Sequence, residues 1–193
     1  DIFTLRLRYT GQDGQGQFVF APGQFNMVYL YGVGEVPISI VSDPDDHHCF
    51  DHTIRALGRV TDGLAKLRQG DVVGIRGPFG RGWPLAQAEG KDLLIVTGGV
   101  GCAPVVAVIN YVLRRRERFG HLTVLQGVKH HDDLIWRERY AAWAAQPDTT
   151  VALAADNPGH DSSLFEGNVV QLFERVGLPT QQRQQQALAM LCG

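Results

Sequence analysis

Apolar and polar positions divide the 193-residue chain into two parts with different rhythms. In the first, short runs at 3–9, 18–20, 25–31, 38–41, 52–57 and 71–76 read as strands. Between them stand GQDGQGQ, APGQ, GVGE and DPDDHH, rich in the Gly, Pro and Asp that turns use. One short helical pattern interrupts at 62–67, with Thr61 placed to cap it. Closely spaced short strands predict a small antiparallel β-barrel.

From about Asp92 the pattern changes. The runs 93–99, 122–128, 150–156 and 187–193 are continuously apolar, as strands buried on both faces should be. Helix-length stretches at 104–119, 133–145 and 168–175 lie between them, with Gly120 and Gly177 where C-terminal caps belong. The βαβαβαβ order predicts a doubly wound parallel sheet with helices on both faces. LAQAEG, within 84–90, reads as the linker, giving a barrel domain over 1–86 and an α/β domain over 90–193.

Composition adds exclusions. A formal net charge of −2 gives no electrostatic basis for nucleic acid or an anionic membrane as partner. No apolar run approaches the roughly 20 residues of a membrane span. Cys49, Cys102 and Cys192 are odd in number and widely spaced, so no disulfide framework is expected and a reducing cytoplasm is the simplest setting. Residues 1–9 begin like a strand already under way and 187–193 stop at the end of one, so both ends read as truncated.

The chemistry points first to Thr97-Gly98-Gly99-Val100-Gly101-Cys102-Ala103-Pro104. A strand ending in glycines and feeding a helix gathers bare N–H groups and a positive dipole end, which attract an anion. The spacing is neither the dinucleotide G-x-G-x-x-G nor a P-loop. Alone it reads equally as a nucleotide cradle or a plain strand-to-helix turn; at the first βα junction of a doubly wound sheet, the cradle gains.

Several ordered motifs carry a family resemblance. Residues 97–104 look like the pyridine-nucleotide motif of ferredoxin–NADP reductase-like flavoproteins. Gly58-Arg59-Val60-Thr61, Leu67, Gly70-Asp71 and Gly77-Pro78-Phe79-Gly80 resemble that family's barrel end, and Cys192-Gly193 resembles the start of its cysteine–glycine–proline segment. Pro22-Gly23-Gln24-Phe25 and Pro37-Ile38-Ser39-Ile40 are most similar to its electron-transfer subunits, among them the gamma subunit of sulfhydrogenases and the electron-transfer subunits of anaerobic sulfite reductase and dihydroorotate dehydrogenase. The resemblance implies FAD on the barrel, NAD(P)H on the second domain, and electrons exchanged with another redox subunit of a hetero-oligomer. Any [2Fe–2S] cluster would belong to a segment after Gly193 or to the partner.

The same resemblance assigns residues. Thr97, Gly98, Gly99, Val100, Gly101, Cys102, Ala103, Pro104, Gly127, Lys129, Cys192 and Gly193 would meet NAD(P), with Cys192 at the nicotinamide edge. Val36, Pro37, Ile38 and Ser39 occupy the places of the usual Arg-x-Tyr-Ser flavin motif, so its Arg and Tyr are absent. Ser39 would then hydrogen-bond flavin N5, Ile38 would pack on the ring, and Arg55 or Arg59 would supply the missing charge. Gly58, Arg59, Val60 and Thr61 would meet the pyrophosphate. Those absences keep a second expectation open: a docking or regulatory module on the same fold that has lost flavin.

Other clusters read blandly. His47, His48, Cys49, Asp51 and His52 match no metal-site spacing and are expected at a polar hairpin tip, with no metal. Arg114, Arg115, Arg116 and Arg118 suit a solvated helix end. Lys129-His130-His131 hint at NADP, while Asp132 and Asp133 argue the other way, so cofactor choice stays open. Trp136, Tyr140 and Trp143 share one helix face, expected to be core.

Overall fold

In the computed structural model, the described residues are 2–10, 17–176 and 187–193. Most of the GQDGQGQ turn and the cap expected at Gly177 lie outside them. The chain forms two compact units, Asp1–Trp83 with Val106–Tyr111, and Pro84–Val105 with Val112–Gly193.

The first unit is antiparallel. Strands β1 (Ile2–Arg8) and β4 (Cys49–Arg55) form one pair, and β2 (Phe25–Leu30) lies between β3 (Gly34–Ser39) and β5 (Gly74–Phe79). A bridge from Ile40 to His52 ties the two sheets together. Alternation sends Val28 of β2 and Ile54 of β4 into one apolar cluster, which Leu64 joins from a helix, while Phe18, Phe20, Ile40 and Phe50 form a second. Burying these side chains contributes about 1.5–3 kcal/mol each.

Several sequence expectations shift here. Residues 18–20 are no strand: Phe18 and Phe20 are core side chains on irregular backbone. The GVGE turn is shorter than expected, because Gly34 already pairs with Leu30 and β3 starts there. β4 begins inside the expected hairpin tip, and β5 starts three residues late. Helix α1 (Arg59–Leu64) likewise begins three residues early, with Gly58 as its N-cap. Thr61 therefore sits inside the first turn, where its hydroxyl accepts from Leu57 N (2.9 Å) and Gly58 N (3.0 Å).

The second unit holds a five-stranded, all-parallel sheet in the order β10-β6-β7-β8-β9. Its strands are β6 (Asp92–Gly98), β7 (Leu122–His130), β8 (Thr149–Asn157), β9 (Phe165–Glu166) and β10 (Ala187–Cys192). The two-residue β9 carries too little pattern for a sequence to reveal. Helices are α4 (Arg137–Ala144), α5 (Val169–Val176) and the two ends of α3 (Ala103–Leu113), whose Val106–Tyr111 is counted with the first unit, while the expected linker contains a single turn, α2 (Leu85–Ala88).

α3 ends six residues before the expected Phe119, so Gly120 caps nothing. A methyl group there would stand 2.2 Å from Asp92 Oδ1, and glycine serves close approach instead. α4 starts only after Trp136, whose backbone is left-handed at φ 60°. Tyr140 and Trp143 are core as expected, whereas Trp136 is half-buried.

Candidate functional site

The sheet order places a topological switch point between β6 and β10. From β6 the chain proceeds to β7 and β8 on one side, then returns to lay β10 on the other. Crevices at the carboxyl ends of such strands are where open α/β sheets bind ligands. The two candidate segments meet there: Thr97 pairs with Cys192 in the ladder, and Gly98 Cα faces Gly193.

The glycines of the turn have different jobs. A Cβ at Gly101 would lie 2.6 Å from the Cys192 carbonyl oxygen and 2.8 Å from Gly193 Cα, so this glycine lets the turn pack on the end of β10. Gly99 is left-handed at φ +52°, and nothing lies within 4 Å of its missing Cβ. It leaves open space against bare backbone, the geometry a phosphate needs. A 3₁₀ turn, Gly99–Cys102, leads into α3. Pro104 is the second residue of that helix, where a missing N–H costs no intrahelical bond.

Gln126, unnoticed in the sequence, holds the turn. It is buried on β7, accepts a hydrogen bond from Thr97 Oγ1, and donates from Nε2 to the carbonyls of Gly99 and Gly127, both at 3.0 Å. The available signal was one amide inside the continuous apolar run LTVLQGV; a buried amide must find partners. Gly127 faces the first turn of α5, and a Cβ there would sit 2.8 Å from Val169 Cβ. Lys129 is exposed near the end of β7.

The two cysteines differ. Cys102 is 2% exposed, and burial pushes its thiol up to about 11 with the Tyr140 hydroxyl at hand. A thiol so placed is protonated and inert at neutral pH. Cys192 is half-buried, and desolvation raises its pKa as well. It presents a neutral thiol beside the turn.

In the first unit, residues 36–39 lie on β3. Val36 and Ile38 pack against the Val28–Ile54–Leu64 cluster, while Pro37 is exposed. The Ser39 carbonyl accepts from His52 Nδ1 at 2.9 Å. Arg59 donates to the Val33 carbonyl at 2.9 Å, and Arg55 is half-buried at the end of β4. The first helical bond of α1 runs from Asp62 N to Gly58 O, so the amides of Arg59, Val60 and Thr61 precede the helical ladder.

Residues 95–193, just over half of the chain, match the family model described as an oxidoreductase NAD-binding domain. The chain belongs to this family. Its NAD-binding domain thus takes in every residue of the glycine turn, Gln126 and the Cys192–Gly193 end.

Among curated relatives, the chain is 40% identical over 126 residues to sulfhydrogenase 1 subunit gamma of Pyrococcus furiosus, covering 65% of this chain and 43% of that one. It is 37% identical over 122 residues to the probable dihydroorotate dehydrogenase B (NAD(+)) electron transfer subunit of Methanocella arvoryzae, covering 63% and 42%. The match thus spans less than half the length of these relatives. Among solved structures, the cytochrome b5 reductase domain of Ulva prolifera nitrate reductase aligns with a TM-score of 0.80 at 17% identity, covering 100% of this chain and 81% of that one. A ferredoxin NADP+ reductase from Neisseria gonorrhoeae with bound FAD and NADP aligns at 0.76 and 20%, covering 98% and 78%. At these identities the likeness is one of fold, and the ferredoxin reductase-like architecture is shared.

The remaining clusters of the sequence are structural in their contacts. Asp46 Oδ1 accepts from His48 N and Cys49 N, which folds the tip before β4. Arg116 is more than a solvated helix end: its guanidinium donates to the carbonyls of Gly120 and Asp148. Lys129 and His130 of the NAD-binding domain are exposed.

Proposed function

We propose that this protein is a flavoprotein electron-transfer module that moves a hydride between NAD(P)H and FAD and exchanges electrons with a redox partner. The observation that carries this reading is the meeting of residues 97–104 with Cys192–Gly193 at the switch point of an oxidoreductase NAD-binding domain. The open left-handed Gly99 and the first turn of α3 suit a pyrophosphate. The neutral Cys192 thiol suits the uncharged edge of a nicotinamide, and neither cysteine offers a thiolate for covalent chemistry. Residues 90–193 form the NAD(P)-binding part in this reading, and 1–86 the FAD-binding part.

On the flavin side the fit rests on the amides of Arg59, Val60 and Thr61, which carry the positive end of α1, with Ser39 on β3 and the cation of Arg55 or Arg59. Thr61 Oγ1 is engaged with Leu57 N and Gly58 N, so its contribution is to shape that turn. Bound there, FAD supplies the step between two-electron and one-electron transfer. The protein's part is to hold, orient and exclude water. The named relatives support a partner that is another redox subunit of a hetero-oligomer, of the hydrogenase or dihydroorotate dehydrogenase kind; a sulfite reductase partner fits the same chemistry. The three free cysteines suit a cytoplasmic setting. A [2Fe–2S] cluster would lie in that partner or in sequence following Gly193.

One observation favours a second reading, a docking module without flavin. Val36 and Ile38 pack on the barrel core, and Arg59 is engaged with Val33 O. Absorption spectra of the purified protein with added FAD decide between them. Flavin bands that bleach anaerobically with NADH or NADPH support the electron-transfer reading, and the more effective nucleotide names the cofactor. A protein that stays colourless with excess FAD sinks it.

A further inference from the structure

β9 covers only part of the edge of β8: its pairing is confined to Ala154–Phe165 and Ala155–Glu166. Below that point, residues 149–153 have no strand partner on this edge among the described residues. The sequence there, Thr-Thr-Val-Ala-Leu, has no charge, proline or glycine, the usual protections of an exposed edge. Gly167 N donates to Ala155 O, which fixes the edge toward which residue 155 directs its polar backbone. Backbone direction alternates along a strand, so the N–H and C=O groups of Val151 and Leu153 point to the same open edge.

This edge lines a groove of about 620 Å³. Ala152 packs on the α5 side with Leu172, and Val151 and Leu153 alternate to the other face of the sheet. Tyr140, Ala141 and Ala144 of α4 and Val176 of α5 complete the walls, the two alanines leaving width that larger side chains would fill. Arg175 stands at the rim with its guanidinium 5.2 Å from the Phe165 ring centroid, and forms no ion pair among the described residues. Arg137, by contrast, is paired with Asp161.

We infer that the open edge of β8 is a strand-addition site for an extended peptide segment of a partner protein, apolar on the face it lays into the groove and carrying a carboxylate that meets Arg175. The donors and acceptors of Val151 and Leu153 would give main-chain affinity, and the apolar walls and the rim cation would select the side chains. A five-residue strand spans about 16 Å, the run left open by β9. This site lies away from the glycine turn, so its failure leaves the electron-transfer reading untouched.

Fluorescence anisotropy tests it with a labelled hexapeptide of alternating valine and threonine closing on glutamate. Saturable binding is expected. It should weaken at least tenfold when the valine amides are N-methylated, at least tenfold in Ala144→Phe, and about fivefold in Arg175→Glu. Absence of saturable binding at millimolar protein, or equal binding of the N-methylated peptide, overturns the inference. The N-methylated peptide decides the matter even if Ala144→Phe fails to fold. Sedimentation velocity supplies the competing outcome: a concentration-dependent dimer abolished by Ala144→Phe assigns the edge to a second copy of the chain and overturns the partner proposal.

Discussion

At the scale of single residues, Gly99 and Gly101 make a discriminating pair. Gly101→Ala drives a methyl to 2.6 Å from the Cys192 carbonyl, so either the turn or β10 must shift. We expect a loss of about 1–3 kcal/mol in unfolding free energy, read by urea titration, together with weakened NADH binding. Gly99→Ala meets no atom and carries only the strain of a left-handed alanine, about 1 kcal/mol, yet it places a methyl where a phosphate would approach. NADH affinity, read by calorimetry, should fall by tenfold or more while stability changes little; an unchanged affinity would remove the phosphate from Gly99. Gln126→Leu removes the amide that holds the Thr97 hydroxyl and the Gly99 carbonyl, leaving the hydroxyl only a 3.4 Å contact to the Leu125 carbonyl, and should cost about 1–3 kcal/mol of stability.

At the scale of elements, His52 joins three strands of the first unit. From β4 it donates through Nδ1 to the Ser39 carbonyl at the end of β3, and its Nε2 accepts from Asn26 Nδ2 on β2 at 3.2 Å. Burial pushes its pKa down to about 4 from the usual 6.5. The unfolded chain therefore takes up this proton first, so stability is full above about pH 7 and is lost as pH falls from 6.5 toward 4. The loss attributable to this group is on the order of 3 kcal/mol. Thermal unfolding across that range should show the decline, and His52→Gln should flatten this group's share of it. In the second unit, Asn168 caps α5 by accepting from Val170 N and Gln171 N, both at 3.0 Å. Asn168→Ala should cost about 1 kcal/mol in the same measurement.

At the scale of the whole molecule, the prediction is spectral: purified protein with FAD should show flavin bands that NADH or NADPH bleaches. Replacing Arg59 by Ala separates two roles. If its cation neutralises a pyrophosphate, FAD affinity should fall about tenfold; if it serves only to hold Val33 O, affinity should hold while the β2–β3 turn loosens. Among the described residues no helix is long and apolar enough to cross a membrane.

How much of this was legible beforehand follows physical lines. The alternation of apolar runs with glycine punctuation determined an antiparallel part followed by a parallel α/β part, because side-chain period and burial on one or both faces are written directly into composition. The glycine turn was legible because glycines between a buried strand and a helix mark a positive φ or a close approach, as at Gly99 and Gly101, whereas the Cys192–Gly193 end was legible only through its resemblance to a family segment. Boundaries slipped where tertiary pairing overrode local signals, as when Gly34 entered β3 by pairing with Leu30 and α1 began early at a cap lacking a side chain. Three things belonged to the tertiary structure alone. These are the parallel pairing of β10 with β6 in the register that sets Thr97 against Cys192, the reach of buried Gln126 to the Gly99 carbonyl, and the edge that a two-residue β9 leaves open on β8. Each joins groups distant in the chain, and linear spacing carries no information about which of them will meet.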